Sequence, residues 1–304
     1  MQTFRTPLRV TWDVAGDPTE TTWWPSRGTP KTILFFIPGN PGLVEYYTDF
    51  LEIIYRSAPD SLEIYGVSHL GHSTGPHTKY QKDSNRLYTL QEQIEHKIRC
   101  FDILRSENAE DTKFILMGHS IGSYICAEVL KNRHDMGIER LVALFPVLRE
   151  IALTPNGVSI SRIISRLPGS ALPIAASTLS LLAAPLRQRL VGLFTGQSGP
   201  CLEVTSHQLL QGSVIRNVFY MAQHEMETVK ELDHDFYNAH ANKFILYYSK
   251  NDEWAPLDHY NYMRTKFPNH EHIYLCEQDL PHAFILDDRH TEYMARKVVT
   301  WLNS

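Results

Sequence analysis

The residues best able to do chemistry lie in Gly118-His119-Ser120-Ile121-Gly122. A serine hydroxyl becomes a useful nucleophile only when a base takes its proton, and that base needs a carboxylate to fix its tautomer and orientation. The Gly-x-Ser-x-Gly spacing suits such a nucleophile, because small residues let the chain turn sharply from a strand into a helix and present Ser Oγ at the edge of a sheet. The same five residues could also form a glycine-rich turn with a helix-capping serine. Two later segments favour the nucleophile. Asp252 follows a candidate strand in Ser249-Lys250-Asn251-Asp252-Glu253-Trp254, and His282 follows the next one in Leu280-Pro281-His282-Ala283-Phe284. Serine, acid and histidine in that order, each just past a strand, would converge on one end of the sheet. Glu253 is a rival acid. His290 is a rival base, but it falls where a last helix should begin, and Asp279, Asp287 and Asp288 lie too close to the histidine loop.

Acyl transfer through an alkoxide also needs two N–H groups aimed at the developing oxyanion. One is expected from Ile121, directly after the nucleophile. The second is expected from Pro38-Gly39-Asn40-Pro41-Gly42, where Pro41 has no N–H to give. Asn40 is the first choice there, with Gly39 and Gly42 as alternatives.

The elements needed to position these residues can be read from the apolar runs. Residues 32–37, 64–67, 113–117, 141–145, 243–248 and 272–275 read as strands, most of them without alternation, as expected for strands buried on both faces. Residues 45–57, 90–104, 123–132 and 291–302 carry helical spacing, and the first 30 residues read as an irregular or hairpin entry. Strands alternating with helices predict an α/β architecture, a mostly parallel sheet covered on both faces, here of the α/β-hydrolase fold. From 147 to 240 strand signals stop, which predicts a core of residues 1–146 and 241–304 and an inserted helical cap of residues 147–240. Within the cap, residues 167–186 carry no charge and include Pro168, Gly169, Pro173 and Pro185; Arg162 and Arg166 precede the stretch, and Arg187 and Arg189 follow it. The prolines argue against a straight spanning helix. A pair of amphipathic helices dipping into a lipid monolayer from one side fits, as does an apolar lid over the site.

Composition closes off other classes. The chain has 304 residues, 43% hydrophobic and 21% charged, with a formal net charge of −5. That fits one large domain with an insertion and gives no polybasic footprint for nucleic acid. Four cysteines lie far apart, which fits reduced thiols in a cytosol-facing protein, and the first residues show no apolar signal region. Fifteen histidines are scattered without ligand spacing, so neither a metal nor a cofactor is expected.

Several uncommon strings occur together in order: Phe36-Ile37-Pro38-Gly39-Asn40-Pro41-Gly42, Gln93-Ile94-Glu95-His96-Lys97, Gly118-His119-Ser120-Ile121-Gly122-Ser123-Tyr124, Phe145-Pro146 and Pro281-His282-Ala283-Phe284, with Thr154-Pro155-Asn156-Gly157 opening the cap as a one-residue departure, Thr for Ser, from a further string. With them the chain resembles the lipid droplet-associated hydrolase family. The resemblance implies a serine esterase of the α/β-hydrolase fold with a Ser120–Asp252–His282 triad. It also implies lipid ester substrates of sterol ester or acylglycerol type, and a place on lipid droplets and the endoplasmic reticulum. Gln93 to Lys97 is then a family signature without evident chemistry, read as a helix packing behind the elbow with His96 structural. Two other functions stay open, a droplet-surface or tethering protein with weak catalysis and a soluble small-ester or thioester hydrolase.

Overall fold

The computed structural model describes residues 7–73, 86–166 and 169–303. The opening residues read for a signal, and Leu167 and Pro168 at the start of the uncharged stretch, lie outside them. Strands β1 (Leu8–Val14) and β2 (Asp17–Trp24) form the entry as an antiparallel hairpin. Its two-residue turn places Ala15 at φ 56° and Gly16 at φ 88°, the double positive φ that matches the twist of the flanking strands. Then come β3 (Thr32–Ile37), α1 (Thr48–Ser57), β4 (Leu62–Val67), α2 (Leu90–Ser106), β5 (Lys113–His119), α3 (Ile121–Asn132) and β6 (Ile138–Leu144). After the insertion, β7 (Phe244–Tyr248), α10 (Leu257–Lys266), β8 (Ile273–Leu275) and α11 (Asp288–Leu302) complete the alternation.

The eight strands form one sheet in the order β1-β2-β4-β3-β5-β6-β7-β8. Pairing is antiparallel at β1/β2 and β2/β4 and parallel from β4 to β8. Alternate residues explain why the strands read as unbroken apolar runs. Ile33, Phe35, Phe114 and Leu116 pack on one face with Phe101 of α2 and Ile125 of α3. Leu34, Phe36, Ile115 and Met117 pack on the other with Phe50 of α1 and Val298 of α11. Each face of a central strand is therefore core.

Two helices begin earlier than their periodicity predicts. α3 starts at Ile121 rather than at Ser123, directly after the elbow serine. α11 starts at Asp288 rather than Thr291, because Asp287 caps it by accepting from the backbone N–H groups of Arg289 and His290. His290 thus lies in the first turn of that helix.

Between β6 and β7 stand α4 (Pro155–Arg166), α5 (Ala171–Ser180), α6 (Ala184–Thr195), α7 (Gly199–Val204), α8 (Gly212–Thr228) and α9 (His234–Ala239). The described part of the uncharged stretch is split between α5 and the start of α6, where Pro185 sits at a helix start and breaks nothing. Among the described residues, no helix is long and apolar enough to cross a membrane. The four arginines around the stretch are not equivalent. Arg162, Arg166 and Arg189 are exposed, whereas Arg187 is buried and donates a 2.6 Å hydrogen bond to the Ser180 carbonyl, stapling the end of α5 to α6. Leu181, Leu193 and Phe194 are 85%, 75% and 88% exposed, large apolar side chains left facing outward.

Glu20 on β2 and Glu45 ahead of α1 are buried within repelling distance. Burial first, and then the Glu45 charge, pushes the Glu20 carboxyl up to about 7, with Arg9 opposing; burial pushes Glu45 up as well. Between the ordinary value of 4.5 and about 7 the native chain therefore holds a proton that the unfolded chain has released. Stability must fall as pH rises through that window. Glu20→Gln is expected to raise the melting temperature by a few degrees at pH near 8, with the gain vanishing towards pH 4.5. Thermal melts across that range check it, and a gain independent of pH would contradict it.

Candidate active site

β5 ends by turning directly into α3, and Ser120 occupies the turn at φ 56° and ψ −127°. A side chain in that region costs on the order of 1–3 kcal/mol, so the surroundings must hold it there. They do so by contact too close for any side chain. A Cβ on Gly118 would stand 2.4 Å from the Gly122 backbone, and one on Gly122 would stand 2.3 Å from the Ile37 carbonyl oxygen. The Ser120 N–H donates to the Leu144 carbonyl at 3.0 Å, tying the elbow to β6.

His282 arrives on the loop after β8. Its Nε2 is 2.8 Å from Ser120 Oγ and its Nδ1 is 2.7 Å from Asp252 Oδ2. Asp252 follows β7 and is buried, with Oδ1 accepting from the N–H groups of Trp254 at 2.7 Å and Ala255 at 2.9 Å. Burial alone would raise its pKa. The His282 charge, the hydrogen bond to His282 and the two backbone N–H bonds together hold the carboxyl below its ordinary value. With a carboxylate on Nδ1, the imidazole keeps its proton there and leaves Nε2 free to accept from Ser120. The rivals sit elsewhere. Glu253 is exposed, Asp287 caps α11, and Asp279 occupies a left-handed turn at φ 48°.

Gly39, Asn40, Ser120 and His282 share a cavity of about 200 Å3, whose walls include Tyr46, Trp254 and, from the inserted residues, Gln197 and Leu209. The Gly39 N–H donates to Tyr47 Oη at 3.3 Å, and the Gly42 N–H donates to His72 Nδ1 at 2.9 Å. Ile121 opens α3, at the helix end where the first N–H groups have no partner within the helix.

Residue spacing gave no role to His119 or Tyr47, yet both bridge the site. His119 Nε2 donates to the His282 carbonyl at 3.0 Å, and a carbonyl can only accept, so Nδ1 is the unprotonated atom. That Nδ1 accepts from the Tyr47 hydroxyl at 2.7 Å, whose oxygen takes the Gly39 N–H. Burial, then the His282 charge, lowers the His119 pKa to about 3, so this bridge stays neutral.

The Gln93 to Lys97 string has a more definite place than the back of the elbow. α2 packs on α3, but its polar residues hold the turn after β4. Gln93 accepts from the Leu70 N–H and donates to the Leu70 carbonyl, both at 2.9 Å. Lys97, completely buried and lowered by burial to about 8, donates to the Ser68 carbonyl at 2.8 Å and bonds His96. His96 also bonds Thr19 Oγ1 at 2.7 Å. The turn so held carries His72 to Gly42.

A family model described as lipid-droplet associated hydrolase matches residues 30–285. A Gallus gallus protein named lipid droplet-associated hydrolase is 32% identical over 286 residues, covering 91% of this chain and 86% of the chicken protein. A Mus musculus protein of the same name is 32% identical over 287 residues, covering 90% of this chain and 86% of its own length. Among solved structures, an epoxide hydrolase from Vigna radiata aligns at a TM-score of 0.66 and 11% identity, over 100% of this chain and 99% of that one. At that identity the likeness concerns the fold, which is the α/β-hydrolase fold, and carries no reaction with it.

Gly122→Ala is expected to cost about 1–3 kcal/mol, since the new methyl meets backbone rather than a movable side chain. Chemical denaturation measures it; a loss below 1 kcal/mol, on the order of a tolerated surface change, would show that the elbow relaxes.

Proposed function

Since the chain belongs to the lipid droplet-associated hydrolase family, we propose that it cleaves carboxylic esters of lipids through a Ser120–His282–Asp252 triad. The observation that carries this reading is the unbroken hydrogen-bonded line from Ser120 Oγ through His282 to Asp252. Ser120 Oγ attacks the ester carbonyl carbon as His282 Nε2 takes its proton. The tetrahedral oxyanion collapses, the alcohol leaves with the proton from His282, and the acyl group remains on Ser120. Water, activated by His282, then releases the acid and restores the serine. Asp252 stays ionised and keeps the imidazolium aligned.

For the oxyanion we assign the N–H groups of Ile121 and Asn40. Gly39 and Gly42 already donate elsewhere, which supports Asn40 as the loop's contribution. One such donor is worth about 10²–10³ in kcat.

The cavity walls support a lipophilic substrate. Tyr46, Leu209, Trp254, Ile285 and Leu286 surround the nucleophile. A space of about 200 Å3 is below the roughly 300–1,000 Å3 of pockets that enclose a whole small ligand. It would take the scissile ester and adjoining acyl carbons, while the bulk of a sterol ester or acylglycerol stays outside. In this reading residues 147–240 form the cap on a core of 1–146 and 241–304. Leu181, Leu193 and Phe194 would enter the monolayer of a lipid droplet or of the endoplasmic reticulum, with Arg162, Arg166 and Arg189 available to its phosphate groups. The outward apolar side chains also support a second reading, in which holding the surface is the main function and catalysis is minor.

Ser120→Ala is expected to abolish covalent labelling by a fluorophosphonate probe and to lower lipid-ester turnover by about 10⁴-fold or more. Labelling equal to that of the unmodified protein would overturn the catalytic reading, and droplet binding that persists without any Ser120-dependent turnover would favour the second. Replacing Leu181 and Phe194 by Asp is expected to lower flotation with phospholipid-coated oil droplets by roughly tenfold or more, since each buried side chain is worth about 1.5–3 kcal/mol. Hydrolysis of a water-soluble short-chain ester should stay within about twofold, as both residues are surface exposed. Undiminished flotation would remove the surface role of these helices.

A further inference from the structure

Glu225 lies on α8, buried, and has no part in the chemistry above. Its Oε1 accepts a 2.9 Å hydrogen bond from the side-chain amide of Asn40. The same amide nitrogen donates at 3.0 Å to the Val218 carbonyl, two helical turns earlier on α8. A residue of the oxyanion loop is thus held at two points by one inserted helix. The insertion also bonds two walls of the cavity, Tyr46 through Thr205 Oγ1 at 2.7 Å and the Ile285 carbonyl through Cys201 Sγ at 3.2 Å, but each at a single point.

α8 is well placed to transmit position. Its inner face also presses Asn217 on Gly71, where a Cβ would come within 2.5 Å of the amide carbon. Gly71 precedes His72, the residue that takes the Gly42 N–H. Its outer face presents Phe219 and Tyr220 to an apolar cavity of about 370 Å3, also lined by Ile163 of α4 and Leu172 of α5. α5, bearing exposed Ile174 and Leu179, also packs against α8 near Gly212, where a Cβ would lie 2.1 Å from Ser177 Oγ. One helix therefore lies between the apolar outer helices and the loop that must present an N–H to the oxyanion.

We propose that Glu225 is a positioning residue, fixing the Asn40 N–H through the Asn40 side chain and so making the rate of the chemical step depend on where the inserted helices sit. The inference rests on the triad reading above. Oxyanion donors act over a few tenths of an ångström, because they must meet an oxygen that moves as the carbonyl becomes tetrahedral. Loss of the Glu225 contact leaves Asn40 held by the Val218 carbonyl alone, which loosens its orientation without touching Ser120 or His282. Burial lifts the Glu225 carboxyl to about 8 against the Asn40 hydrogen bond, so near neutrality it is mostly protonated and glutamine is its closest mimic.

The test compares E225A and the volume-conserving E225M with E225Q in the full chain, using a short soluble ester at temperatures below each melting transition. E225A and E225M should lose about 10–100-fold in kcat with KM within about twofold, while E225Q, which keeps the acceptor for Asn40, should recover to within about threefold. A rise in KM at unchanged kcat, an equal loss in E225Q, or no loss at all would overturn the inference. Failure of both E225A and E225M to fold would also overturn it, since Glu225 would then be a packing element. Activity that survives Ser120→Ala would instead sink the triad reading itself, and the two failures are distinguishable in one set of assays.

Discussion

The close approach of the β5–α3 turn to the end of β3 is the constraint on which the rest of the site depends. Gly122 lies against the carbonyls of Ile37 and Pro38, and Gly39 comes back so near Ser120 that a Cβ there would stand 3.0 Å from the serine Cβ. One contact therefore does two things. It forces Ser120 into its strained backbone conformation, and it brings the opening N–H groups of α3 alongside the Gly39–Asn40 turn. Any side chain at Gly118 or Gly122 would separate the helix start from that turn, and Ser120 and the N–H groups proposed for the oxyanion would no longer share a centre. In the proposed mechanism the positive end of α3 then faces the point where negative charge develops.

Around that contact the remaining loops are locked to one another rather than to the sheet alone. The Gly39 N–H, Tyr47, His119 and the His282 carbonyl form one hydrogen-bonded chain from the loop after β3 to the loop after β8. A neutral His119 is necessary for it, since a protonated ring would lose the bond from Tyr47 and place a charge beside His282. On the far side of the Gly39–Gly42 turn, Lys97 and Gln93 hold the Ser68–His72 turn, and His72 holds Gly42. The buried lysine is costly in isolation. It is tolerable here because it donates to a carbonyl and a histidine ring, and its low pKa makes the neutral form accessible.

How much of this was legible in the sequence follows from the range of each interaction. Strands buried on both faces announce themselves as apolar runs, and Ser120, Asp252 and His282 each follow such a run, so their convergence could be anticipated from chain order. The start of α3 could not, because Gly122 weakens the helical signal where tertiary contact requires it. In the hairpin, β1 alternates Leu8, Val10, Trp12 and Val14 with polar residues, while β2 is polar until Trp23 and Trp24, so only half of the pair carries a strand period. Tyr47 with His119 is a pair 72 positions apart, and Asn40 with Glu225 a pair 185 apart, both joined by polar atoms with no periodicity to betray them. Arg187 carries no such signal either: nothing about its place after an uncharged stretch tells that its guanidinium is spent on the Ser180 carbonyl inside the insertion.

The insertion itself reverses the usual allocation of apolar residues. In the sheet, large side chains are enclosed on both faces, whereas α5 and α6 leave Ile174, Leu181, Leu193 and Phe194 outside while spending a buried arginine on holding the two helices together. Isolated exposed leucines need no explanation. Several on two successive helices joined by the Arg187–Ser180 bond are more than isolated ones, and support the surface role proposed above. Lipid suits such a surface better than a protein partner, because a monolayer demands apolar area and accepts any orientation about its normal, where a protein interface would ask for matched polar contacts at its rim. Of these two helices α5 packs against α8, and α8 holds Asn40. In the proposed reading, burying α5 in lipid acts on the helix that holds the loop assigned to the oxyanion, so that contact with the substrate's phase and readiness for catalysis become one structural event.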